Sequence, residues 1–262
     1  MGKSREAYYK HMRNRTKQSI EDHVIHELVM EQRTFMPRLG GKKLYKLIDV
    51  NLKANHLRIG RDKLFSWLRQ HDLLVQPKRQ FTRTTNSSHR FRVHKNLIKD
   101  QLVIRPDQVW VSDITYLRLK KGFCYLALIT DAFSRKIVGY HVNETLELKG
   151  CMNALQMACE HRKNKFDTIH HSDRGIQYCS NQYVEQLHNQ GIKISMAEAG
   201  NCYENAMAER VNGILKDEFN LDRTFKDIEQ ARRATIQGII TYNTRRPHMS
   251  IGMKKPAELY AA

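Results

Sequence analysis

From about residue 108 onward the apolar residues fall first in three short β-branched and aromatic runs, then in alternating helical and extended patterns. That change of rhythm leaves few architectures open. The first run, 108–119, carries Trp110, Val111, Ile114, Thr115 and Tyr116, and the next two cover 123–130 and 136–141. The Lys120-Lys121-Gly122 turn and the turn at 131–134 are too short for anything but antiparallel neighbours. Helix 146–161 follows, with Leu148, Met152, Leu155 and Ala158 as its expected inner face. Then come strand 166–170, helix 181–190, strand 192–196, helix 205–219 and helix 225–242. A meander followed by helical crossovers predicts an α/β fold, a mixed five-stranded sheet with helices on both faces.

The first part of the chain reads differently. Val24, Ile25, Leu28 and Val29 recur at helical spacing, Leu39-Gly40-Gly41 interrupts them, and a second helix is expected over 42–49. A third begins near Arg61, with Leu64, Trp67 and Leu68 as its apolar face and Arg61, Lys63 and Arg69 supplying charge. Two short helices close in sequence, the second basic, suit a helix-turn-helix whose second helix enters the major groove, so these three cations are expected at DNA. Residues 1–19 read as a basic arm or short helix. Residues 76–104 form a basic linker, most polar over 76–95. The expected organisation is thus arm 1–19, helix-turn-helix region 20–75, linker 76–104 and catalytic domain 105–262.

Charge supports a polyanionic partner. The 262 residues hold 45 Lys plus Arg against 27 Asp plus Glu, a formal charge of +18. Residues 1–100 hold 23 basic and 9 acidic side chains, whereas 101–262 hold 22 and 18. A strongly basic region joined to a nearly balanced one points to nucleic acid, through attraction to phosphate. No stretch approaches 18 consecutive apolar residues, which excludes a membrane-spanning helix. The opening MGKSREAYYK has no apolar run behind it and is not a secretory signal. Cys124, Cys151, Cys159, Cys179 and Cys202 form no CxxC pair, and their odd number fits a reducing compartment. A cytoplasmic, nucleoid-associated protein is expected.

Three carboxylates stand where rigid elements present them. Asp113 interrupts an apolar strand in WVSDITY, a costly place for an unpaired charge. Asp173 follows the fourth strand in HSDRGIQY, at a strand end where open sheets place their chemistry. Glu209 shares one helical face with Asn205, Asn212 and Lys216, beside an apolar stripe of Ala208, Val211, Leu215 and Phe219. Three converging carboxylates make a hard oxygen site suited to Mg2+ or Mn2+, and two such ions would clamp the attacking and leaving oxygens at phosphorus. Asp131 is a fourth acid, expected to cap the turn toward Ser134 rather than to bind metal. Glu204 and Glu218 are expected in solvent or in ion pairs. His170 and His171 lack the neighbours of a zinc site, and His171 is expected to brace the acids or touch DNA.

With these residues placed, the chain resembles the second-reading-frame product of bacterial insertion sequences of the two-frame, frameshifting kind. Those transposases share a retroviral-integrase, RNase H-like core with an Asp, Asp, Glu triad and 35 residues between its last two acids, the number that separates Asp173 from Glu209 here. The resemblance runs through SREAYYK at 4–10, IGRDKLFSWLRQHDLL at 59–74, WVSDITYL at 110–117 and DAFSRKIVGY at 131–140. It continues through HSDRGIQYCS at 171–180, NCYENAMAERVNGILKDEF at 201–219 and YNTRRPHMSIGMKKPAELY at 242–260.

The resemblance implies Asp113, Asp173 and Glu209 as metal ligands and Lys216 as a contact to donor-end DNA. It implies Asn205 and the Arg245-Arg246-Pro247-His248 stretch as groups that position DNA or brace the core, and Asn212 is expected beside them at DNA. The implied activity is metal-dependent 3′-end nicking and strand transfer at the terminal inverted repeats of an insertion sequence, joined first to the other end of the same element and then to target DNA. The implied partners are double-stranded DNA, further copies of the chain on that DNA, and the first-frame product or a fusion with it. Two other readings stay open: a non-catalytic DNA-binding regulator, and an RNase H-like nuclease that would need Asp131 as a fourth acid.

Overall fold

A computed structural model describes residues 4–76, 91–99, 101–163, 167–198 and 205–262. Cys202, Glu204, most of the 76–95 segment and the first residue of the strand expected at 166–170 lie outside the described residues. The chain divides into two compact units, 1–77 and 78–262.

The first unit is helical: α1 (Arg5–Phe35), α2 (Gly41–Ala54) and α3 (Arg61–Gln70). The stretch 5–19, expected as an arm or short helix, instead continues into α1. Ser4 caps it, its side chain accepting a hydrogen bond from the Ala7 amide at 3.2 Å, and no proline or glycine occurs between Ser4 and Pro37. Its first four turns are exposed on every side, and only Ile25 and Val29 are buried. Leu44, Ile48 and Leu52 of α2 and Leu64, Trp67 and Leu68 of α3 are buried as well. The Trp67 indole donates to Asp22 at 3.1 Å and stacks on His71 at 4.0 Å. Arg61, Lys63 and Arg69 are exposed, and Arg61 pairs with Asp62 at 2.9 Å.

The second unit is built on a mixed sheet of β1 (Val109–Arg118), β2 (Phe123–Asp131), β3 (Ile137–Asn143), β4 (Ile169–Ser172) and β5 (Lys193–Met196). Their spatial order is β3-β2-β1-β4-β5. β1, β2 and β3 pair antiparallel, as their short turns require, while β4 joins β1 in parallel and β5 joins β4 in parallel. Gly122 closes the first turn at φ +81, a conformation that a side chain resists.

One face of the sheet is covered by α4 (Leu148–Glu160), the short α5 (Ile176–Cys179) and α6 (Asn181–Asn189). They bury Trp110, Ala127, Ile129, Val138, Tyr183 and Leu187. The other face is covered by α7 (Ala206–Glu218) and α8 (Ile228–Thr244), over Leu117, Leu126, Leu128, Val211, Leu215 and Tyr242. Two apolar layers on one sheet give the α/β architecture expected from the strand order.

The inner face of α4 is turned slightly from its expected position. Gly150, Cys151, Ala154, Leu155 and Ala158 are buried, whereas Leu148 and Met152 are only partly so. Small residues let the helix backbone approach β3 at Gly139, where a Cβ atom would stand 2.1 Å from the Ala154 carbonyl oxygen and 2.9 Å from the Ala158 Cβ. Gly139→Val should therefore cost about 1–3 kcal/mol through overpacking, read as a lower urea midpoint with an unchanged m-value.

The C-terminal α9 (Pro256–Ala261) returns to the sheet, where the Tyr260 hydroxyl donates to the Asp107 carboxylate at 2.7 Å. Asp107 also accepts from the Trp110 indole at 3.0 Å and from the Lys163 amide at 2.9 Å. Among the described residues, no helix is long and apolar enough to cross a membrane.

Candidate active site

β4 is short. It pairs with β1 only as far as Ser112 opposite Ser172, and among the described residues no strand flanks that edge of β1 from Asp113 onward. The fork between the two parallel strands is where Asp113 and Asp173 sit, each at the first position beyond the last paired residue. Both are half-buried, and both line one cleft. The Asp173 carboxylate is held by the Gly175 amide, which donates to Oδ1 at 2.9 Å. Asp113 accepts from the Ile114 amide at 2.9 Å and from the Asn212 side-chain amide at 2.8 Å.

The charges at the fork oppose one another. Asp113 is pushed up to about 7, first by burial and then by the negative charge of Asp173, with Glu209 adding a smaller push; the bonds from Asn212 and Ile114 act the other way. The same field reaches behind the cleft, where the Cys151 thiol is pushed up to about 12 by burial and then by Asp173. A carboxylate whose ionisation is opposed by neighbouring carboxylates in this way fits a hard divalent cation, whose charge would relieve the repulsion and whose preferred donors are oxygen.

α7 runs along the open edge of β1, with the polar stripe inferred from its spacing turned toward the strand. Asn205, at its N-terminus, donates to the Ser112 carbonyl at 3.3 Å, and Asn212 holds Asp113. The Lys216 ammonium lies 4.3 Å from the centre of the Tyr116 ring, and burial lowers its pKa against the opposing pull of Tyr116 and Asp113. Glu209 is on this stripe and within electrostatic reach of Asp113, yet it is exposed and does not line the cleft. Among the described residues, no three His, Cys, Asp or Glu side chains are gathered tightly enough to grip one ion. The two aspartates converge, and the glutamate stands beside them.

Asp131 is buried in the turn toward Ser134, accepting from the Ser134 amide at 2.7 Å, from its hydroxyl at 2.5 Å and from the Asp107 amide at 2.8 Å. The two bonds from Ser134 are those of a cap. His170 is buried between the Ser112 and Tyr183 hydroxyls at 2.6 and 3.0 Å, and burial depresses its pKa to about 3.

Among the residues expected at DNA, His171, Asn205, Asn212 and Arg246 are turned inward. His171 is hydrogen-bonded with the Ser195 hydroxyl at 2.8 Å, and Arg246 makes a two-pronged pair with Glu218 at 2.9 Å for both bonds. Glu218 is therefore buried and paired. Arg245 is exposed, and His248 is half-buried against Ser250 and the Tyr242 ring. Sequence reasoning missed the aromatic lining of the cleft by Tyr116, Phe123 and Tyr125, although their alternation along β1 and β2 marks them as sharing one side.

The chain is similar to known proteins. Residues 104–202 and 190–256 match two families, each described as an integrase core domain. The chain is 36% identical, over 98% of its length and 94% of the relative's, to the insertion element IS600 uncharacterized 31 kDa protein of Shigella sonnei. It is 36% identical to the transposase for insertion sequence element IS629 of Shigella sonnei, across 64% of this chain and 55% of that one. It is also 36% identical to transposase InsF for insertion sequence IS3A of Escherichia coli, across 73% of this chain and 67% of that one. Among solved structures, a simian T-cell lymphotropic virus intasome superposes with a TM-score of 0.52 at 18% identity, covering 89% of this chain and 74% of that one. That last likeness is one of fold, and the fold is RNase H-like. Sequence identity along nearly the whole chain, together with the integrase core, shows that the chain belongs to the insertion-sequence transposases.

Proposed function

We propose that the chain nicks the 3′ ends of its insertion sequence and joins the exposed hydroxyl to a second phosphodiester, with Asp113, Asp173 and Glu209 holding divalent metal. Mg2+ or Mn2+, as a pair of ions, would supply charge stabilisation at phosphorus and a more acidic attacking hydroxyl. The observation that carries this reading is the convergence of Asp113 and Asp173 on one cleft at the fork of β1 and β4, where burial and then the Asp173 charge oppose the ionisation of Asp113.

The chain's own groups have distinct tasks. Asp113 and Asp173 are fixed by hydrogen bonds from Asn212 and Gly175, so their oxygens are set before substrate arrives. Glu209, on the α7 stripe and exposed beside the cleft, would supply the third carboxylate. Lys216, half-buried beside Tyr116, meets a phosphate of the donor end, while Arg61, Lys63 and Arg69 on the exposed side of α3 contact DNA in the first unit. Two element ends have to meet, so the active form is an oligomer assembled on DNA, and the first-frame product or a fusion with it is the expected partner. The protein works in the cytoplasm, on the nucleoid.

Labelled duplexes carrying the element ends, incubated with the purified chain in Mg2+ and with or without its upstream partner, test this directly. Nicked and joined products that disappear in chelator are expected. Binding without any cleavage, even with the partner supplied, would instead favour a regulator. Asp131, occupied by the cap, gives no support to a four-acid nuclease.

A further inference from the structure

The cleft that holds the two aspartates extends well past them, to about 940 Å3, and its outer part is built from groups that neither metal nor phosphate requires. The β1–β2 register sets Tyr116 opposite Tyr125 and Arg118 opposite Phe123, so all four side chains leave the same side of the sheet. The Tyr116 and Phe123 rings meet edge to face, 5.2 Å apart at 85°. Leu146 and Ile176 line the same cleft and are each 40% exposed, and Phe123 is 52% exposed. A solvent-facing phenylalanine among tyrosines, next to a catalytic cleft, is apolar surface awaiting a ligand.

The charges around this surface narrow the choice of ligand. Lys216 stands over Tyr116 within electrostatic reach of Asp113, and Arg118 lines the cleft wall, so cations border the aromatic surface of a cleft that also holds the aspartate pair. The occupant therefore has a flat apolar face and carries a phosphodiester. A nucleotide has both. Inside a duplex, however, each base is covered above and below by its neighbours, so only a base taken out of the stack can lie on a protein ring.

We infer that Tyr116, Phe123 and Tyr125 form a stacking shelf for one unpaired nucleobase beside the scissile phosphodiester, so that the protein acts on a DNA end opened by at least one base pair. The inference rests on the catalytic reading of Asp113 and Asp173. The shelf begins at Tyr116, three residues beyond Asp113 and about 10 Å along β1, and Asp113 leaves the other side of the strand. The shelf therefore takes a base of a nucleotide neighbouring the phosphate at the acids, around the open edge of β1. It also tolerates any base, since every base has a π-face.

The test is a cycle of protein and DNA variants on element-end duplexes, with an abasic site placed in turn on each side of the cleaved bond. Phe123→Ala should lower end nicking about 5- to 150-fold on base-bearing DNA and have no effect when the shelf's own base is missing. Phe123→Tyr should restore the wild-type rate. A 2-aminopurine at the same position should lose emission on binding wild-type protein and much less on binding Phe123→Ala or Tyr125→Ala.

Asp173→Asn separates the two readings, since it should still quench 2-aminopurine while nicking nothing. Quenching with undiminished nicking in Asp173→Asn would sink the catalytic assignment and leave the shelf standing. An equal loss with Phe123→Ala on base-bearing and abasic DNA, the result expected if this face covers another protein surface, would overturn the shelf. So would no loss at all.

Discussion

Asp173→Asn should abolish strand joining, by at least about a thousandfold, while leaving DNA binding within a few-fold of wild type. The magnitude follows from removing one charged ligand of a metal that stabilises several kcal/mol of transition-state charge, each 1.36 kcal/mol being tenfold in rate. The substitution is mild for the fold. The asparagine side chain keeps an oxygen that accepts from the Gly175 amide, the bond that now holds Asp173 at 2.9 Å, and it removes a negative charge that opposes Asp113. Product gels and filter binding on the same labelled element ends read the two quantities separately. Undiminished joining would refute the assignment of Asp173, and loss of binding in parallel with joining would show that the residue serves structure instead.

Arg246→Ala should destabilise the second unit by about 3–5 kcal/mol, the usual cost of stranding one partner of a buried ion pair. Arg246 is 3% exposed, and its guanidinium grips both oxygens of Glu218 on α7. Removing it leaves a buried carboxylate without its cation. Removing both partners, as in Arg246→Met with Glu218→Leu, should recover much of the loss, because the surviving charge is then absent too. Urea denaturation measures both. If Arg246 acted at DNA, its replacement would leave the urea midpoint unchanged and weaken binding, with a shallower dependence on salt.

That pair also shows where chain order stops being informative. A basic run near the end of the chain reads as a DNA-facing tail, and Arg245 is indeed exposed, but its neighbour Arg246 is committed to a glutamate 28 positions earlier. Asn205 and Asn212 are similar: their shared helical face is legible from spacing, whereas its target, the open edge of β1, depends on where β4 ends. The helical continuity of 5–19 was hidden because that stretch is polar all round and has no apolar period to detect. α5 and α9, at four and six residues, are too short for periodicity to register.

Local chemistry in the sequence alone determined the strand meander, the helical crossovers, the division into a basic helical part and an α/β part, and the three acids with their spacing. Hydrophobic rhythm and short turns act over a few residues and need no knowledge of the rest of the chain. Only the tertiary structure decided that β4 stops beside Ser112, that Asp113 and Asp173 share the resulting fork while Glu209 stands outside the cleft, and that three aromatic rings extend it. Those outcomes come from residues up to about a hundred positions apart. Pairing between such distant residues is set by the whole core closing at once, with each buried charge finding its partner across the fold.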